Sequence, residues 1–207
     1  MELSYKGGNC VQIDVKKVTV VIDGRLSAIG LKDISPHDAV QIGTQPEFVP
    51  TSHDGVVVDG PGEYEVKGIS IGGIVARRMI DADNMRRATI YYLSIDGVKI
   101  AVVGHITFDL SDDQLESIGV VDIAIVPVGG GGYTLDGHQA TNIIKQLGPK
   151  VVIPTHYADS GVNYEVAQDE LAPFIAELGA PTEKVDRYKI KNSVLPEALT
   201  VVEITRS

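Results

Sequence analysis

The sequence predicts a layered α/β fold, two packed sheets with helices outside, and three observations carry that reading. Short apolar runs broken by Gly, Pro and Asp turns fill the first half. The second half alternates apolar runs with segments that carry helix start and stop signals. Between the two styles, Asp96 and Gly97 separate two β-rich runs, a strong short hairpin signal.

Taken in order, residues 3–5, 11–15 and 18–22 form an opening meander. LKDISPHDAVQIG reads as a turn of helix or loop, then a strand at 39–42. Residues 56–58, 64–66 and 69–75 are further short strands, and DGPGEY places Gly and Pro where special backbone angles are needed. The hairpin strands are 89–95 and 98–103. SDDQLESIG is a helix with Ser111 as N-cap and Gly119 as its stop. VDIAIVPV is a buried strand, TLDGHQATNIIKQLG an amphipathic helix and VVIPTHY another strand. Residues 165–178 predict a helix ending at Gly179, and LTVVEIT a closing strand. No linker, repeat or low-complexity segment interrupts the pattern, so a single domain over 1–207 is expected.

Composition bounds the function. The 207 residues are 43 % hydrophobic and 22 % charged, as in a soluble globular protein. The net charge of −10 argues against nucleic-acid binding, which needs a basic footprint. The one dense basic cluster, Arg77 and Arg78 with Arg86 and Arg87, is broken by Asp81 and Asp83 and reads as a solvated loop. No run approaches about 18 consecutive apolar residues, so no membrane span is expected. The N-terminus lacks the basic and apolar regions of a signal peptide. Cys10 is the only cysteine, which excludes an internal disulfide and a Cys-rich metal site and makes a reducing cytoplasm the expected compartment.

In layered α/β folds, ligands bind on loops beyond the strand ends. The polar residues that follow apolar runs are Asp23 (VTVVID), His105 (IAVVGH), glycines 129–132 (IAIVPVGGGG) and His156 (VVIPTH). His105 and His156 follow strands of what should be one sheet, so their side chains are expected to approach. Two imidazoles and a carboxylate would suffice for an open metal site. The alternative is that both histidines are buried and hydrogen-bonded without a metal. His53 and Asp54 read as plain loop, and His37 as surface. His138 lies in a helix first turn, where a cation is disfavoured, and reads as neutral and exposed. The glycines followed by Asp136 could cradle an anion or wrap close to a site at positive φ; no Lys-Ser/Thr follows to complete a phosphate loop. Asp136 reads as an N-cap, Cys10 as strand packing, and Glu63 with Glu65 as an exposed strand face.

VDGPGEYEVKGISIGGI, LSDDQLESIGVVDIAIVPVGG and VPVGGGGYTLDGHQATNIIKQLGPKVVIPTHY resemble the metallo-β-lactamase-fold hydrolases, in the branch of the ascorbate-6-phosphate lactonase-like Zn-dependent enzymes. LSYKGGNCVQID with VTVVID resembles the opening hairpin of that branch and KIKNSVLPEALTVVEI its closing one, so the likeness spans the chain. The resemblance implies a four-layer αββα sandwich with a metal site at one edge. In that family a His-x-His-x-Asp-His loop and ligands from two later strands hold one or two metal ions that acidify a bound water. Here Thr44, Pro46, Phe48 and Val49 align with the four loop ligands, and none is a plausible zinc ligand. The family's Gly-His after the opening strand reads Gly7 and Gly8, its metal-bridging Gly-Asp reads Gly104 and His105, and a later histidine position carries Phe108. Of the usual ligands His156 remains, together with Asp23, an orienting residue in the family.

The resemblance and its departures together predict a degenerate, non-catalytic member that binds a small molecule or protein partner or serves structurally, without a cofactor. The competing expectation is a metal-dependent hydrolase rebuilt around His156, His105 and Asp23, with zinc or manganese. Phe48, Val49 and Phe108 are expected to fill part of the old pocket. Relatives with this fold commonly associate, so a homo-oligomer is compatible with the resemblance.

Overall fold

Apolar residues alternate with period two along most strands of the computed structural model, and that alternation sorts side chains between the layers. The structure describes residues 1–82 and 84–207; Asp83, one of the two acidic breaks in the basic cluster, lies outside the described residues. In chain order the first elements are β1 (Glu2–Gly7), β2 (Cys10–Val15), β3 (Val18–Ile22), β4 (Val40–Ile42), β5 (Val57–Val58), β6 (Gly62–Val66), β7 (Ile69–Ala76), β8 (Ala88–Ile95) and β9 (Val98–Val102). Then come α1 (Asp112–Ile118), β10 (Ile123–Pro127), α2 (Gly137–Leu147), β11 (Val151–Thr155), α3 (Leu171–Leu178), β12 (Thr182–Val185), β13 (Tyr188–Lys189) and β14 (Thr200–Ile204).

The strands form two mixed sheets. One runs β13-β1-β2-β3-β4-β5 and the other β12-β14-β11-β10-β9-β8-β7-β6. Their inner faces meet in one apolar layer, where Leu3, Ile13 and Ile22 of the first sheet pack with Ile71, Leu93, Ile100 and Ile125 of the second. The alternate residues of the second sheet, such as Ile90, Ala101, Ala124 and Val152, point outward and are covered by α1, α2 and α3 through Ile118, Ile143, Ile144 and Phe174. This is the layered α/β sandwich expected. The outer cover of the first sheet is thin. Cys10 and Val21 are capped by Leu26, Ile29, Leu31 and Ile34 from a loop with one 3-10 turn at Ser27–Ile29. Gly24, Gly30 and Pro36 in that loop prevent a longer helix.

Local chemistry accounts for most boundaries. Asp96 and Gly97 both have positive φ, 49° and 78°, and turn β8 into β9. Ser111 and Asp136 each accept from the backbone N–H three residues on, and Gln114 and Gln139 return the bond, so α1 and α2 both start in capping boxes. Gly119, Gly148 and Gly179 stop the three helices at positive φ.

Three expectations are corrected and one strand is added. The helix expected over 165–178 starts only at Leu171, because Pro173 lacks an N–H and fits only in a first turn. The closing hairpin is not one: β13 joins β1 in the first sheet, whereas β14 lies between β11 and β12 in the second. β12, TEKV, was hidden because it is a polar edge strand. Arg78 is no solvated-loop residue: its side chain is 12 % exposed and clamps Asp81, Gln45 and Glu47.

Candidate functional site

Asp23, Thr44, His105 and His156 all stand just beyond strand ends, at one edge of the sandwich. The backbone there is unusual. Asp23 and His156 have φ of 48° and 53°, a left-handed conformation that Asp and His tolerate better than β-branched residues. In β11 the ladder to β14 ends at Val152, so Pro154 meets no pairing demand on that side. The chain then kinks, and the His156 N–H donates to the Gly8 carbonyl at 2.7 Å.

The glycines serve close approach. Gly130, Gly131 and Gly132 have φ of 67°, 68° and 71°. A Cβ on Gly129 would lie 2.0 Å from the His156 carbonyl oxygen. Gly129→Ala is therefore expected to cost about 2 kcal/mol by pushing the two site loops apart; a denaturation midpoint equal to wild type would contradict this contact. Gly104, at φ 67°, likewise lets the His105 turn lie against Thr44.

A buried polar chain ties the strand ends together. Thr155 Oγ1 donates to Asn9 Oδ1 at 2.6 Å, and Asn9 Nδ2 donates to Asp23 Oδ2 at 2.7 Å. Thr44 donates twice more to Asp23, from its N–H and its hydroxyl, each at 2.7 Å. The Asp23 carboxyl is pushed up to about 6, because burial outweighs the bonds from Asn9 and Thr44.

The two histidines do approach. Their ring centroids are 4.7 Å apart and edge-on. His156 Nδ1 lies 2.9 Å from Gln168 Oε1, and Gln168 Nε2 donates to the Val166 carbonyl. The amide is thereby oriented with its oxygen toward His156, so Nδ1 carries the proton and Nε2 is left as an acceptor. Burial lowers His156 to about 4, against a smaller opposing effect of the Gln168 bond. His105 is 2 % exposed, and neither of its ring nitrogens has a hydrogen-bond partner among the described residues. Burial, then His156 and Arg78, hold it well below the ordinary histidine range. Both rings are neutral at pH 7.

A cavity of about 120 Å³ opens beside this pair, lined among others by Gly8, Asp23, Phe48, His105, Tyr133 and His156. The ring of Phe48 rests against His105 at 5.1 Å between centroids. Of the three residues expected to fill the pocket, Phe48 lines the cavity. Phe108 does not: it is 47 % exposed and lies with His138 and Gln139 on another surface. Ile106, two residues earlier, is buried, so strand-like alternation does not continue past His105, and Phe108 faces solvent. Val49 does not line the cavity, which remains open beside Phe48.

The donor set tests a metal. Among the described residues no three His, Cys, Asp or Glu side chains converge as ligands. Asp23 lines the same cavity as His105 and His156, but its oxygens are engaged by Asn9 and Thr44. Two imidazoles without a third donor do not fit a catalytic metal site.

The remaining candidates lie elsewhere. His37 and Asp54 pair with each other on the surface, and His53 is exposed. His138 is exposed and bonds Glu177 of α3 at 3.0 Å. Cys10 is buried packing in β2. Glu63 and Glu65 are exposed and bond Tyr92 and Ser70. Sequence reasoning missed Asn9, Tyr133 and Gln168. Asn9 and Tyr133 each directly follow a glycine pair or run, which was a usable signal; Gln168 was hidden inside the overextended helix.

Residues 2–156 match the family model described as the beta-lactamase superfamily domain, and the chain belongs to that family. A search of curated proteins finds no match. Among solved structures, a Thermotoga maritima protein assigned to the Zn-dependent hydrolases of the metallo-β-lactamase superfamily superposes with a TM-score of 0.76 at 22 % identity, over 99 % of this chain and 98 % of that one. Igni18, a metallo hydrolase from Ignicoccus hospitalis, gives 0.61 at 17 % identity, over 86 % and 90 %. An isothiocyanate hydrolase from Delia radicum gut bacteria gives 0.65 at 10 % identity, over 98 % and 95 %. At these identities the likeness is one of fold. No described helix is long and apolar enough to cross a membrane.

Proposed function

We propose that this chain is a non-catalytic member of the metallo-β-lactamase superfamily whose edge cavity binds a small molecule or a partner. The observation that supports this most is what stands at the four loop-ligand positions. Thr44 has become a hydrogen-bond donor to Asp23, and Phe48 has become a ring packed on His105. Pro46 and Val49 offer no ligand atom on their side chains. The free, buried Cys10 favours the cytoplasm as its compartment.

A second reading, a metal-dependent hydrolase rebuilt on His156, His105 and Asp23, is favoured by one feature. His156 has its Nδ1 proton held by Gln168 and its Nε2 lone pair free, the arrangement of a metal-ligating imidazole. It requires Asp23 to give up bonds from Asn9 and Thr44.

Metal analysis of protein purified without chelator separates the readings. The expected result is zinc and manganese far below one ion per chain, unchanged in His156→Ala. One equivalent of either metal, lost in His156→Ala, would overturn the non-catalytic reading.

A further inference from the structure

The cavity is bounded by an unusual density of rings. Phe48 contacts His105 at 5.1 Å between centroids, and Tyr133 contacts His105 at the same distance. His156 contacts His105 at 4.7 Å and Tyr164 at 4.6 Å. All five side chains line one space, with the carboxylates of Asp23 and Glu165. Both nitrogens of the buried His105 lack a partner among the described residues.

We propose that the cavity binds a small organic ammonium ion bearing a hydrogen-bond donor, its cationic head among the rings of Phe48, Tyr133 and Tyr164 and its donor on His156 Nε2. The inference rests on reading the cavity as a binding site. Aromatic faces attract a cation through the ring quadrupole, most strongly where water is excluded. Asp23 and Glu165 add opposite charge from the same walls. The net charge of −10 draws cations toward the protein at longer range. Leu26 and Ile29 offer apolar contact to the carbon atoms of an alkylammonium. His156 Nε2 is left as an acceptor, so an O–H or N–H on the ligand has a place to donate. The same features disfavour an anion. The cation among the lining residues is Arg25, and its guanidinium donates to the Glu47 carbonyl at 3.2 Å.

Calorimetric titration of the full chain with choline and with dimethylbutanol, its uncharged carbon isostere, tests this. Choline is expected to bind at least about tenfold more tightly than the isostere, a difference of about 1.4 kcal/mol. Phe48→Leu and Tyr133→Leu should each weaken choline about fivefold and leave the isostere nearly unchanged. Tyr133→Phe, which keeps the ring, should bind choline as wild type does. Arg25→Gln, at a half-exposed position, should tighten choline by removing the opposing charge; a change of fold stability alone would not do so. Equal binding of choline and the isostere would overturn the ammonium assignment and leave the cavity as a binding site. Absence of binding by both would overturn the proposal, whatever the metal content turns out to be.

Discussion

Asp23→Ala is expected to lower stability by about 3 kcal/mol, whereas Asp23→Asn should cost only about 1 kcal/mol. The alanine variant strands three buried donors at once: Asn9 Nδ2, the Thr44 N–H and the Thr44 hydroxyl. It also places a residue without a local hydrogen-bonding side chain at a φ of 48°, which adds about 1 kcal/mol. Relief of a buried charge offsets part of this, since burial already holds the Asp23 carboxyl up at about 6. Asparagine avoids both penalties. Asn tolerates the left-handed region, and the polar chain can reverse its direction. If Asn9 flips its amide, its oxygen meets the new amide and its nitrogen meets Thr155 Oγ1, whose hydroxyl can rotate to accept. Urea denaturation of the three proteins measures the difference. Equal losses in the two variants would mean that the chain is not reversible. No loss in Asp23→Ala would mean that Asp23 does not clip the strand ends together.

That clip gives Asp23 a structural role at the edge of the sandwich. It joins the end of β3 to Thr44 beyond β4, to Asn9 at the head of β2, and through Asn9 to Thr155 of β11. The edge of the sandwich is therefore fixed by hydrogen bonds among neutral groups and one carboxylate.

The layers were legible because strand burial writes itself into the sequence as alternation. β8, ATIYYLSI, sends Tyr91, Leu93 and Ile95 to one apolar layer and Ala88 and Ile90 to the other. Capping boxes and stop glycines made α1 and α2 equally plain. The convergence of His105 and His156 also followed from their places after parallel strands of one sheet, β9 and β11, which flank β10. What stayed hidden was direction and irregular backbone. Phe108 lies two residues beyond the buried Ile106, yet it faces solvent. Gln168, which sets the tautomer of His156, sits in a loop with no periodicity to mark it. Arg78 looked like one charge among four, and only the fold brings Gln45 and Glu47 to it across the chain.

Acidification should separate His156 from Asp23 by the sign of their effects. His156 has its folded pKa lowered from 6.5 to about 4. Its protonated form therefore favours the unfolded chain, and the stability it contributes is complete above about pH 6.5 and lost as pH falls toward 4. That gap corresponds to about 3 kcal/mol. His105, held low by burial, acts in the same direction. Asp23 acts oppositely. Its folded pKa is raised from 3.8 to about 6, so the folded state gains on protonation over much of the same window. The wild-type stability curve is consequently flattened between pH 6.5 and 4. Comparison with His156→Gln exposes the hidden slope, because glutamine keeps a donor for Gln168 Oε1 and does not titrate. The stability of wild type minus that of His156→Gln should fall by about 3 kcal/mol from pH 7 to pH 4. A difference that stays constant across that range would mean that His156 is solvated enough to take a proton in the folded state, and that the cavity beside it is wet and open to charge.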